Sequence, residues 1–287
     1  MTLRRLIHRL SPHRDRGREV PNYDITVRRA TQRIAVRSLD QGRQVNDHSV
    51  ASSWRYSSDD RAAAPYSTRS VLFDGVDDDV RTANGAVSAS DTFTLSAWVK
   101  TASAVAAGLI SRTGSGRYNY IMRLTSAGRL ELAFETAGSG VQTLTGSVST
   151  LQDGRWHHCA VTFDAATLAA AVYVDGSLDA SATLAEAPND LNPRRVYLGR
   201  YSTEYLAGVL DEAAIYSSAL SAAEVRQIYN GGTPGNLKNL ASVSSLVSWW
   251  RMGDGDGDRY PTIADNQGSA DGTMTNMTSA AIAEVAP

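Results

Sequence analysis

Cysteine is almost missing from this 287-residue chain, where Cys159 stands alone. A single thiol closes no internal disulfide, so a stapled secreted scaffold is excluded and nothing calls for an oxidising compartment. Lysine is nearly as scarce, at Lys100 and Lys238 only, and arginine carries the positive charge. No apolar run approaches the ~20 residues of a membrane span, so no membrane partner is expected. The first ten residues, MTLRRLIHRL, are charged but have no apolar h-region, which argues against a Sec-type signal peptide. Walker, Rossmann and zinc-ligand spacings are absent as well.

The charge that is present is unevenly spread. Residues 1–43 hold eleven arginines against four acidic residues, while the remainder holds 17 basic and 26 acidic ones. Such asymmetry marks an arm with a different task from the body. In it Leu3, Leu6, Ile7 and Leu10 share a helical face opposite Arg4, Arg5, His8 and Arg9, as far as Pro12. Strand-like scraps follow at 25–27 and 34–36, too little apolar surface to fold alone. Two readings stay open. The arm is an anchor that orders on another copy, a particle surface or, less expected, nucleic acid, gripping through Arg4, Arg5, Arg9, Arg28, Arg29 and Arg33; or it is a solvated tail. Residues 46–70, rich in Ser, Asp and Ala, read as a linker.

From Val71 the pattern changes to period-two alternation. In DTFTLSAWVKT, Phe93, Leu95, Ala97 and Val99 alternate with Thr94, Ser96, Trp98 and Lys100, as a half-buried strand requires. In GRWHHCAVTFDAATLAAAVYVDG, residues 154–176, His157, Cys159, Val161 and Phe163 alternate with His158, Ala160 and Thr162; Val172 and Val174 then resume the pattern and Asp175-Gly176 turns it. Trp98 reads as packing on the opposite face, and both histidines and the cysteine as structural. Further strands are expected at 108–112, 118–124, 128–136, 142–144, 195–200 and 206–216, spaced as in an all-β sandwich. One short helix interrupts them: Ser221-Ala-Ala-Glu224 is a capping box, and the helix stops at Asn230-Gly231-Gly232.

These segments resemble the laminin-G-like domains with the concanavalin A-type jelly roll. SVLFDGVDDDV, FTLSAWVK, GRWHHCAVTFD…YVDG and residues 210–229 each match a stretch of that family, and LVSWWRMGDGDGD…DNQGSADGTMTNM is similar to its first strand and loop. The resemblance implies an all-β, concanavalin A-like jelly-roll β-sandwich with one short helix, preceded by an extended basic N-terminal arm. Its expected parts are arm 1–45, linker 46–70, jelly roll 71–232, linker 233–245 and a segment 246–287 that completes this sandwich or a neighbour's.

The resemblance also implies sites. A structural Ca²⁺ is expected at Asp211, with Asp74 in the matching early turn, since hard oxygen donors on a loop suit that ion. Asp254, Asp256, Asp258 and Asp265 have EF-hand spacing, but Arg259 stands where the loop needs glycine, so a solvated acidic loop is the expectation. Carbohydrate binding, the family's usual role, points to the Gly-flanked segments GSGRYNY and GRYSTEY, hence to Tyr118, Tyr120, Tyr201, Tyr205, Arg117 and Arg200. Related glucanases carry Glu-x-Asp-x-Glu; here Ala133 separates Glu131 from Glu135, so no catalytic set is assigned. Three functions follow: a non-enzymatic virion protein, on capsid or tail, displaying a lectin-like domain to a host-surface glycan, as the C-terminal ending resembles phage-associated members; a secreted, extracellular carbohydrate-binding or adhesion module; and a glycoside hydrolase.

Overall fold

The structure, a computed structural model, describes residues 23–26, 35–38, 66–85, 91–114, 117–138, 140–188 and 193–287. Two units are present, 1–62 and 63–287. In the first, β1 (Tyr23–Thr26) and β2 (Ala35–Ser38) pair antiparallel. The arginines proposed for the arm, Arg4, Arg5, Arg9, Arg28, Arg29 and Arg33, lie outside the described residues.

The second unit is a sandwich of two antiparallel sheets. In chain order it has β3 (Ser70–Asp74), β4 (Asp79–Thr82), β5 (Phe93–Lys100), β6 (Ala107–Gly114), β7 (Arg117–Leu124), β8 (Leu130–Glu135) and β9 (Val141–Thr145). Next come β10 (Trp156–Asp164), β11 (Ala169–Val174), β12 (Ser177–Thr183), β13 (Arg195–Leu198), the two-residue strands β14 (Arg200–Tyr201) and β15 (Glu204–Tyr205), and β16 (Ala207–Tyr216). After helix α1 (Ala222–Tyr229) follow β17 (Leu246–Trp250), β18 (Thr262–Ile263), β19 (Gly272–Thr275) and β20 (Ile282–Ala283). One sheet runs β12-β11-β10-β5-β16-β3-β20, and β17 also pairs with β16; the other runs β18-β19-β4-β13-β6-β7-β8-β9.

Alternation built these layers as expected. Leu95, Val99, Val161, Phe163 and Val172 of the first sheet meet Leu109, Met122, Leu132, Phe134 and Val196 of the second in one core. Burying each such side chain contributes roughly 1.5–3 kcal/mol. The first sheet has a second buried face, because α1 lies over it. Val225 and Ile228 of the helix join Ala160, Tyr173, Ala214, Tyr216 and Trp249 there. The helix has the capping box read from Ser221 and Glu224, and Asn230 ends it in a left-handed conformation. His158 is therefore buried rather than facing solvent. Its Nε2 pairs with Ser96 Oγ at 2.8 Å, and Trp98 stacks on Tyr229 beside it. Burial pushes the His158 imidazole down to about 4, and its own face is closed, so it is structural.

Residues 246–287 pair with this chain's own sheets. β17 lies against Ala213–Tyr216, β19 against β4, and β20 against β3. Trp250 enters the core and its neighbour Trp249 the layer under α1, as alternation demands. β3 and β17 share one edge of β16, with β3 along 207–210 and β17 along 213–216. Asp211 and Glu212 sit in the gap between them, where the register against β5 also slips. Glu212 takes φ +48°, a conformation L-residues seldom hold without compensation. The compensation comes from both flanks. Ser67 Oγ donates to Asp211 Oδ2 at 2.6 Å, and Trp249 Nε1 donates to Glu212 Oε2 at 2.6 Å, with Arg251 Nε at 3.3 Å from Oε1.

Candidate functional site

With α1 over the first sheet, the outer face of the second sheet carries the exposed polar chemistry. Pairing register places Arg81 beside Tyr197 and Tyr197 beside Ser111, all on that face. Asp79, two residues from Arg81, shares it, as do Arg123 and its partner Glu131. The hairpin β14–β15 lies down across this face above Gly108 of β6. A Cβ at Gly108 would overlap Tyr201 N and the Arg200 carbonyl carbon and come within 2.7 Å of the Arg200 carbonyl oxygen, so only glycine lets the two backbones meet. Ser111 Oγ donates to that same carbonyl oxygen at 2.8 Å and fixes the hairpin's height. Ser202, at φ +54°, makes its turn.

Two charged clusters flank the hairpin. Asp79, fully buried, accepts Arg81 Nε at 2.6 Å and Nη2 at 2.7 Å, and Arg200 Nη1 at 3.0 Å. A carboxylate removed from water needs such partners, and two guanidinium groups supply them. On the other side Arg123 holds Glu131 at 2.7 Å and Glu204 at 2.8 Å, while Thr145 Oγ1 donates to Glu131 at 2.7 Å. Tyrosine rings fill the spaces between. The Arg200 guanidinium lies 5.2 Å from the Tyr197 ring centre and 5.0 Å from that of Tyr205; Arg81 lies 5.8 Å from Tyr197 and Arg123 5.8 Å from Tyr201. These are cation–π distances. The Tyr197 and Tyr205 hydroxyls have no hydrogen-bond partner among the described residues, and both side chains are half-buried.

Of the six expected sugar contacts, the structure brings Arg200, Tyr201 and Tyr205 together here. Arg117 and Tyr118 open β7, and their side chains lie outside the described residues. Tyr120 is a correction: it is fully buried, 4.9 Å from Phe93, because the segment read as a Gly-flanked loop is already strand and Tyr120 points inward. Asp79, Arg81, Arg123, Tyr197 and Glu204 were missed. Their signal was present, as long polar and aromatic side chains stand at outward strand positions where Thr or Ser would suffice.

The calcium pair is a second correction. Asp74 faces Ala207 across the β3–β16 pairing, so Asp211 lies four residues further along, about 13 Å away at strand spacing. One ion cannot touch both. Asp211 is fully buried and engaged by Ser67 and the Glu212 N–H, and burial pushes its carboxyl well above the usual range. Asp74 lies instead with Asp77 and Asp78, oxygens within 4.8 Å of one another. There Asp74 Oδ1 accepts Val76 N–H at 2.8 Å and Asp78 Oδ2 accepts Asp74 N–H at 3.0 Å, which accounts for the turn without an ion.

The acidic loop after Trp250 keeps Asp256 and Arg259 exposed, as a solvated loop would, but holds its other carboxylates in hydrogen bonds to backbone N–H groups. Asp254 accepts Thr68 N–H at 2.6 Å and Arg69 N–H at 2.7 Å. Asp258 accepts the Gly253 and Ala264 N–H groups at 2.7 and 2.6 Å, and Asp265 accepts those of Trp249 and Gly268, both at 2.9 Å. These carboxylates are staples for a loop with little secondary structure. His157 is held between Asp175 at 2.9 Å and Asp153 at 3.2 Å, and the Asp175 hydrogen bond raises its pKa.

Two packed antiparallel sheets with one short helix make this a jelly-roll sandwich. The sequence matches the Laminin_G_3 model, described as the concanavalin A-like lectin/glucanases superfamily, over residues 74–226. That is more than half of the chain, and the chain belongs to this family. No curated protein matches it. Among solved structures it is similar to a Bacteroides ovatus protein described as a candidate carbohydrate binding protein, at 20% identity and TM-score 0.55, covering 74% of this chain and 59% of that one. It is also similar to the heptameric SAP-like pentraxin of Limulus polyphemus, at 18% identity, TM-score 0.47 and 60% and 87% coverage. A third is the CBM40 of a Ruminococcus gnavus IT-sialidase, bound to α2,3 sialyllactose, at 17% identity, TM-score 0.43 and 57% and 99% coverage. At these identities the likeness is one of fold.

Proposed function

We propose that this chain is a non-enzymatic glycan-binding module whose site is the platform around the β14–β15 hairpin. The observation that carries the reading is Gly108. It lets a hairpin bearing Arg200, Tyr201 and Tyr205 lie on a sheet face whose own Tyr197, Arg81 and Arg123 complete an alternation of rings and guanidinium groups. Aromatic surface beside fixed donors and acceptors is what a sugar's apolar faces and hydroxyls require. The carbohydrate-binding description of the Bacteroides ovatus protein supports the same reading. The Glu131 carboxylate is committed to Arg123 and Thr145, which speaks against the glucanase alternative. A glycan array probed with wild-type protein and with Tyr205→Ala tests the site. Signal on defined glycans, lost in the variant, is expected; an array without signal would refute it.

The setting we propose is a particle surface, a capsid or tail of a bacterial virus, with the arginine-rich residues 1–43 as the anchor to other virion proteins or to further copies of this chain. The charge asymmetry of the sequence supports this, and a secreted carbohydrate-binding or adhesion module is the competing setting. Mass spectrometry of purified particles separates them: stoichiometric presence is expected, and recovery only as free extracellular protein would refute the virion setting.

A further inference from the structure

The platform is neutral as a whole but not locally. Arg123 faces two carboxylates, Glu131 and Glu204, whereas Asp79 alone faces two arginines, Arg81 and Arg200. The Asp79 end therefore carries one surplus positive charge. Its donors are only partly spent. Arg81 gives Nε and Nη2 to Asp79; Arg200 gives Nη1 to Asp79 and Nε to the Ser202 carbonyl. Arg81 Nη1 and Arg200 Nη2 have no partner among the described residues, and the two side chains are 28% and 27% exposed. Both guanidinium groups lie over Tyr197, which holds them apart and side by side. The acidic turn of Asp74, Asp77 and Asp78 precedes Asp79 on the chain, and Arg81 lies on the far side of Asp79 from it.

Resting on the glycan-binding reading above, we propose that the Arg81–Tyr197–Arg200 end is a subsite for an acidic sugar, one bearing a carboxylate or sulfate, its anion taken by the two spare Nη groups. Buried Asp79 acts as the positioning residue: it fixes two arginine forks against their own repulsion so that both face outward. Charge-assisted bonds from preorganised guanidinium groups are among the stronger polar contacts a partly exposed site can make. The Arg123 end, with its surplus negative charge, suits the hydroxyls of neutral neighbouring residues. The site then reads a saccharide with direction, acidic residue toward β4 and neutral residues toward β8.

The test is calorimetric titration with matched oligosaccharides: a uronate-containing one, its carboxyl-reduced neutral counterpart, and a sulfated version of the neutral one. Wild-type protein should bind the acidic members roughly tenfold more tightly than the neutral one, the scale of one charge-assisted hydrogen bond. Arg81→Gln should abolish that preference, weakening the acidic members by more than the neutral one, and Arg81→Lys should keep part of it. Should Arg81→Gln fold poorly, the salt dependence of the wild-type preference serves instead, since it must shrink as ionic strength rises. Equal binding of acidic and neutral sugars would overturn the subsite and leave the platform standing. Binding of none, with an empty glycan array, would overturn both. Uronate bound without sulfate, or the reverse, identifies which acid is read.

Discussion

Replacing Gly108 by alanine probes the link between fold and site. A Cβ there meets backbone, not a movable side chain: it overlaps Tyr201 N and the Arg200 carbonyl carbon and reaches 2.7 Å from the Arg200 oxygen, where ordinary contact begins at 3.4 Å. The hairpin must rise by about an ångström or more, an overpacking that costs roughly 1–3 kcal/mol. For a domain of this size each kcal/mol lowers the melting temperature by roughly 2–4 °C. Lifting the hairpin also stretches the Ser111–Arg200, Arg200–Asp79 and Arg123–Glu204 contacts, so the platform should loosen more than the core does. Calorimetric melting and glycan titration of Gly108→Ala should show a modest fall in melting temperature and at least a roughly tenfold loss of affinity. Gly138→Ala is the control, since nothing lies within 4 Å of its Cβ position, and it should change neither quantity. Gly108→Ala with wild-type melting and wild-type affinity would refute the reasoning.

Asp211→Ala should cost about 1–3 kcal/mol for the Glu212 N–H left unpaired, equally in EGTA and in calcium, while Ser67 Oγ keeps Asp254 Oδ2 at 3.3 Å as an acceptor; a loss seen only in calcium would return Asp211 to a metal role. Burial raises Glu212 from 4.5 to about 7, so between those values the folded chain holds a proton that the unfolded chain has released. This group's contribution to stability must fall as pH rises through that window, and Glu212→Gln should flatten that part of the pH–stability curve measured by denaturant titration. Asp175→Asn should lower the His157 pKa, read by NMR titration, because the Asp175 hydrogen bond is the main cause of its rise; an unchanged value would contradict the pairing. Truncation after Leu240 removes β17, β19 and β20 with Trp249 and Trp250 and should yield an insoluble or unfolded product, whereas a soluble, equally stable one would show that the segment does not complete its own sheets.

The sandwich was legible because half-buried strands write their period into the sequence. Phe93, Leu95, Ala97 and Val99 announced β5, and Ser221 with Glu224 announced α1. What could not be read was which outer face would stay open. His158 and Trp98 stand at outward positions like those of Arg81 and Tyr197, yet α1 covers the first pair and not the second. Asp211 matched a family position for calcium, but its role comes from two strands sharing one edge of β16, a long-range fact. Gly108 looked like an ordinary strand residue until a distant hairpin lay on it. Tyr120 misled for the opposite reason, since glycines before it suggested a loop that is strand.

The most direct test of the central claim is NMR mapping of a bound oligosaccharide on uniformly labelled protein. Binding at the β14–β15 platform should perturb Tyr197, Arg200, Tyr201 and Tyr205 and leave Tyr229 of α1 and Trp98 stacked beneath it unmoved. Saturable shifts confined to the α1 side or to the strand edges, with the platform silent, would contradict it.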